Sequence, residues 1–227
     1  MKVIDKNELG LITNSVRILF KALKYPTFMY VLSRVNDKYR SRGELNLEDI
    51  ANKEYAANRI LRIDIYILFW VLLEIFFIIL ISNACTMSNI FVYILVALST
   101  IRLVEIFQVN INTMIFDNIQ RKSEAVASKE RMIVLAAINY IEALILFGII
   151  YAANSNLLKS DTNQPIDGLY LSAMTQFTIG FGDVSPIGWL RGVVAIQGFY
   201  SSVFIILVFS RLLSMFSKIT ALYDETP

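Results

Sequence analysis

Four long apolar runs, separated by polar stretches, set the rhythm of this chain. They cover roughly residues 63–82 ("IDIYILFWVLLEIFFIILIS"), 90–109 ("IFVYILVALSTIRLVEIFQV"), 132–153 ("MIVLAAINYIEALILFGIIYAA") and 189–213 ("WLRGVVAIQGFYSSVFIILVFSRLL"). A helix needs about 20 apolar residues to cross a bilayer core, so each run predicts a membrane span. A fifth run, "GLYLSAMTQF" at 168–177, lies between the third and fourth. Ten helical residues reach only about 15 Å, half a bilayer, which suits a helix that enters the membrane and turns back. The pattern predicts an all-α membrane protein with four transmembrane helices and one re-entrant helix.

The polar stretches orient these spans. Residues 1–62 carry twelve of the 21 Lys and Arg residues, and four more (Arg121, Lys122, Lys129, Arg131) lie between spans two and three. Arg211 and Lys218 close the fourth span, whereas the loop at 83–89 has none. Positive loops stay in the cytoplasm, so both termini are expected there, with the re-entrant segment entering from outside a plasma membrane. This divides the chain into a cytoplasmic N-terminal helical region (1–62), a helix pair (63–116), a linker (117–131), a helix–loop–helix unit (132–215) and a short tail (216–227). Within the first region Ile12, Val16, Leu19 and Leu23 repeat at helical spacing beside Arg17, Lys21 and Lys24. That pattern fits either a basic helix on anionic lipid or, the favoured reading, a small helical cap packed on protein. Asn46, with Asp49 three residues on, predicts a helix start that runs into the first span.

Composition agrees with a membrane protein: 56% of residues are hydrophobic and mean hydropathy is +0.57. There is no His, which removes imidazole catalysis and His-ligated metal sites. The one Cys, Cys85, cannot form an intrachain disulfide. No signal peptide is visible in the first sixty residues. No cofactor, enzymatic activity or nucleic-acid partner is expected; membrane lipid is.

The candidate chemistry lies in "TIGFGD", Thr178–Asp183, directly after the re-entrant helix. Non-helical backbone at membrane depth persists only where protein or water satisfies it. Successive carbonyls that point one way can replace an ion's hydration shell, but this needs φ of alternating hand. Gly180 and Gly182 stand where the left-handed residues belong, since glycine takes positive φ without a Cβ penalty. Ile179 and Phe181 are then expected to point away and pack as a cuff, with a Thr178 hydroxyl below. The helix 168–177 ends at this segment and aims the negative end of its dipole at a cation.

Thr178, Ile179, Gly180, Phe181, Gly182 and Asp183 resemble the selectivity filter of the potassium channel family, Thr-Val/Ile-Gly-Tyr/Phe-Gly-Asp. The resemblance extends to the helix–re-entrant loop–helix frame at about 131–215. It implies a homotetramer, because one motif per chain requires four chains around an axis. It further implies potassium bound by the carbonyls of residues 178–182 and by the Thr178 hydroxyl, and no other metal. Asp183, Tyr170 and Thr175 are the expected filter support. Tyr170 stands where several members have a Trp, and predicts a hydroxyl bond to Asp183. Phe177 replaces a second Thr common in the family, and Met174 replaces a carboxylate found in some members. The hinge position of the pore-lining helix falls at Ser201 or Ser202, with Gly198 one turn earlier the favoured bend.

Four charges lie inside spans: Glu74, Arg102, Glu105 and Glu142. A Glu74–Arg102 pair is expected from their similar depth. One Arg in span two, followed by Glu105, makes a poor voltage sensor, since steep opening takes 3–4 charges per subunit. A buried ion pair that fixes helices is favoured, and Glu142 is a candidate for pH gating or an interface bond. About fourteen residues follow the fourth span, so no C-terminal ligand-binding module is expected. The sequence therefore reads as a passive potassium channel. The alternatives are a non-selective cation channel, a potassium transporter subunit and a non-conducting membrane sensor.

Overall fold

A computed structural model describes residues 48–83, 88–111, 129–161 and 164–223. The amphipathic pattern at 12–23 and the linker at 117–128 lie outside these residues. Five helices follow in order: α1 (Glu48–Asn83), α2 (Asn89–Ile111), α3 (Lys129–Ala153), the short α4 (Ile166–Gln176) and α5 (Leu190–Tyr223). The protein is an all-α membrane protein. Four stretches are long and apolar enough to cross a bilayer: Ile60–Ser82, Asn89–Ile111, Ile133–Ala153 and Leu190–Ser210. Each lies within three residues of the run read from hydropathy. At its far end α5 continues to Tyr223, so the stretch expected as a tail from 216 is mostly helix.

The chain divides into two compact units, residues 1–65 and 66–227. The second holds every element around the re-entrant loop, and α3 is its centre. Leu103 and Ile106 of α2, Leu146, Phe147 and Ile150 of α3, Leu171 of α4, and Tyr200 and Phe204 of α5 are buried in one cluster. On another side of α3, Ile149 and Ala152 pack with Phe77 and Ile81 of α1 and Leu95 of α2. The opposite face of α1 (Leu68, Phe69, Leu72, Phe76, Ile79) is more than half exposed. Such a face suits hydrocarbon, where apolar side chains need no protein cover.

Two glycines let α4 lie directly on α3. A Cβ at Gly168 would stand 2.4 Å from the Ala152 backbone nitrogen and 2.8 Å from its Cα. A Cβ at Gly148 would stand 2.5 Å from Leu169 Cδ2. Small residues at helix crossings are how membrane helices gain dispersion contact without a hydrophobic drive. Outside the helices, Leu158–Lys159 (β1) pairs antiparallel with Ser185–Pro186 (β2), Leu158 opposite Pro186 and Lys159 opposite Ser185. The Ile187 N–H adds a bond to Leu157 O at 2.8 Å. This clasp closes the loop that carries α4 and the filter segment.

Candidate functional site

The first turn of α4 is held by Asp167, whose carboxylate accepts the Ser160 hydroxyl and the Gln164 N–H. The last turn is built into the segment that follows. The N–H groups of Phe177, Thr178 and Ile179 donate to the carbonyls of Ala173 (3.0 Å), Thr175 (3.2 Å) and Met174 (2.9 Å). A helix end leaves such carbonyls open, so the backbone of residues 177–179 is anchored by what the helix leaves unpaired. Thr175 thus meets Thr178 through its carbonyl.

From Thr178 the backbone alternates in hand. φ is +56° at Thr178, +61° at Gly180 and +84° at Gly182, while Ile179 and Phe181 between them are not left-handed. The two glycines stand where the sequence places them, and Thr178 extends the alternation by one residue. A non-glycine residue in this region is strained by about 1–2 kcal/mol. The Thr178 hydroxyl donates to Phe177 O at 2.7 Å. No atom lies within 4 Å of a Cβ built on Gly180 or Gly182, so their requirement is conformational. The expected cuff is not formed in this chain: Ile179 is 49% and Phe181 73% exposed. Phe177, also exposed, meets Tyr140 edge-on with centroids 6.2 Å apart.

Behind this segment the Tyr170 hydroxyl donates to Asp183 Oδ1 at 3.0 Å, the contact expected from the sequence. Desolvation first, and then this bond to the carboxylate, hold the Tyr170 pKa above its usual value, so the hydroxyl remains the donor at neutral pH.

A second set of contacts was not foreseen. Tyr140 and Gln176 bond reciprocally: the Tyr140 hydroxyl donates to Gln176 O at 3.0 Å, and Gln176 Nε2 donates to Tyr140 O at 2.6 Å. Gln197 of α5 accepts the Tyr151 hydroxyl at 2.8 Å on Oε1. Its Nε2 faces Ser172 Oγ (2.8 Å), Ser172 O (3.1 Å) and Gln176 Oε1 (3.2 Å). Ser172 Oγ in turn donates to Leu144 O at 2.7 Å. The available signal was Gln197 and Ser201, and Ser172 and Gln176, each pair one helical turn apart in an otherwise apolar helix.

The proposed hinge residues separate. Ser201 is fully buried and its hydroxyl faces Gln176 Oε1 at 3.4 Å, which places it against α4. Ser202 is exposed and donates back to Gly198 O at 2.9 Å. The helix runs unbroken through Gly198.

The charges pair differently from the expectation. Arg102 reaches Glu142 of α3, with Nη2 at 2.9 Å and 3.1 Å from its oxygens, and Glu105 one turn away at 3.3 Å. Its guanidinium also lies over the rings of Tyr66 and Trp70, 5.1 Å and 5.2 Å from their centroids. The Tyr66 hydroxyl bonds Glu105 at 2.8 Å and 2.9 Å. Depth explains the choice. Arg102 is nine residues from Ile111 and Glu142 nine from Ile133, so the two stand level on antiparallel spans. Glu74 is fourteen residues from Ile60, which sets it about 7 Å away in depth. It is fully buried, and neither carboxylate oxygen has a hydrogen-bond partner among the described residues.

With this geometry in place, comparison with protein families bears on the class. Residues 139–218 match a family model described as an ion channel. The match supports an ion channel. It begins within α3 and takes in α4, residues 177–189 and most of α5, so the matched region is the one centred on the re-entrant loop. It also includes Glu142, which joins the matched region to Arg102 of α2. No curated protein and no solved structure is significantly similar to the chain.

Proposed function

We propose that the chain is a subunit of a potassium-selective channel, with four copies around one axis and potassium passing down its gradient along the carbonyls of residues 178–182. The observation that carries this reading is the alternation of backbone hand at Thr178, Gly180 and Gly182 beyond a half-length helix. Alternation turns successive carbonyls toward one side, and four such strands make stacked oxygen rings of the kind that replace a hydration shell. The exposed Ile179 and Phe181 side chains fit the same assembly, in which neighbouring subunits cover them. The basic residues at 1–62 and in the 121–131 loop support a reading with both termini in the cytoplasm and the protein in the plasma membrane.

Purified protein in liposomes tests the reading, by tracer flux of potassium and then sodium for wild type and Gly180→Ala. Alanine at Gly180 carries a Cβ where φ is +61°, so the variant assembles but loses flux. Potassium flux well above sodium flux, absent in Gly180→Ala, is the expected result. Equal fluxes of the two ions would point instead to a non-selective channel.

A further inference from the structure

Gln176 is the last residue of α4 and stands two positions before Thr178. Gln197 and Ser201 stand on α5, one turn apart, and Ser172 lies one turn before Gln176 on α4. All four are fully buried, as is Tyr151. A polar side chain at such a place is retained only if its bonds are met.

Here they are met in a pattern that spans three helices. Gln176 uses its amide nitrogen on Tyr140 O, its amide oxygen on Gln197 and Ser201, and its backbone carbonyl on the Tyr140 hydroxyl. Gln197 takes the Tyr151 hydroxyl from α3 and gives its nitrogen to Ser172 and Gln176 of α4. The carboxyl end of α4 is therefore bolted to α3 on one side and α5 on the other, within two residues of the first left-handed filter residue.

We propose that Gln176 and Gln197 are positioning residues for ion selectivity: they hold the end of α4, and with it the carbonyls from Thr178 onward, at one distance from the pore axis. The inference rests on the potassium-channel reading above. Selectivity by backbone oxygens depends on how the rings are held, so the group that holds the helix end tunes the ratio of ions that pass. Without Gln197, Ser172 keeps Leu144 O and Gln176 keeps Tyr140 and Ser201, while the Tyr151 hydroxyl loses its acceptor, so α4 stays joined to α3 but its tie to α5 is weakened.

The test is the potassium-to-sodium flux ratio in liposomes, read beside tetramer retention on a sizing column. Gln176→Leu and Gln197→Leu are each expected to assemble and to lower the ratio about tenfold or more, since each removes several buried bonds. The double variant falls by less than the product of the two single effects, because the bond between the two residues is lost in both. Ser201→Ala removes only the longest contact and keeps the wild-type ratio. Assembled leucine variants with the wild-type ratio would overturn the proposal. Should leucine prevent assembly, Tyr151→Phe and Ser172→Ala decide, since each removes a single oxygen from Gln197. A lowered ratio in both supports the proposal and an unchanged ratio in both overturns it. A wild-type protein that does not select potassium would instead defeat the channel reading itself, before any variant is compared.

Discussion

Replacing Gly168 by alanine puts one methyl group between α4 and α3. The new Cβ would lie 2.4 Å from Ala152 N, 2.8 Å from Ala152 Cα and 3.0 Å from Ala152 Cβ. Ordinary contact begins near 3.4 Å, so relief requires the helices to part by roughly 1 Å, and the obstacle is backbone that no rotamer change can move. Overpacking of this kind costs about 1–3 kcal/mol, and a backbone obstacle puts it at the upper end. Alanine returns up to about 1 kcal/mol of helix propensity, less in a first turn, leaving a net loss of roughly 1–2 kcal/mol. Gly148→Ala is the matched comparison. Its nearest obstacle is the Leu169 Cδ2 methyl, the end of a side chain that can turn; the Leu169 Cα at 3.1 Å need give by only a few tenths of an ångström, and the residue sits mid-helix. It should stay within about 1 kcal/mol of wild type. The assay is thermal stability of the detergent-solubilised assembly, followed by fluorescence-detected size exclusion in potassium. Gly168→Ala should melt clearly below wild type, with Gly148→Ala between them or level with wild type. If Gly168→Ala melts at or above wild type, or Gly148→Ala is the worse variant, the close crossing of α3 and α4 is not what these glycines serve.

Other outcomes follow from the remaining contacts. Arg102→Met leaves Glu142 buried without its cation and should cost about 3–5 kcal/mol in the same melting assay, whereas Arg102→Met with Glu142→Leu should cost markedly less. Tyr170→Phe removes the bond to Asp183 and should speed the decay of potassium flux during a sustained gradient; an unchanged decay would show that this bond does not hold the filter. The pH dependence of that bond has a defined sign. The Tyr170 pKa is raised in the folded protein, so the stabilisation is complete below the ordinary tyrosine value near pH 10 and is lost as pH climbs through the raised value. Flux decay in wild type should thus accelerate only in strongly alkaline buffer, and Tyr170→Phe should lack that step.

Much of this was legible in the sequence because the bilayer makes hydropathy a strong constraint. The four spans and α4 could be bounded to within three residues, since a run of apolar side chains has a required length. The Gly180 and Gly182 hands follow from a local steric rule, and the Tyr170–Asp183 contact from the resemblance. Contacts between helices were harder. The partner of Arg102 depends on which spans adjoin and at what depth; with three carboxylates available, sequence spacing favoured Glu74 while the packing of α2 on α3 selects Glu142. The Gln176–Gln197 link joins residues 21 apart on helices whose relative rotation no periodicity specifies. Gly148 and Gly168 looked like ordinary small residues until the crossing of α3 and α4 gave them a neighbour.

The exposure of Ile179 and Phe181 has a consequence for inheritance under the tetrameric reading proposed above. If these side chains find their cover only on other chains, the conducting conformation belongs to the set of subunits and not to any one of them. A cell that makes equal amounts of sound and faulty chains, mixing freely in fours, then builds only about one assembly in sixteen from sound chains alone. A single altered copy of the gene, changed at Gly180, would silence most of the product of the unaltered copy, whereas a change that stops a chain from associating at all would silence only itself.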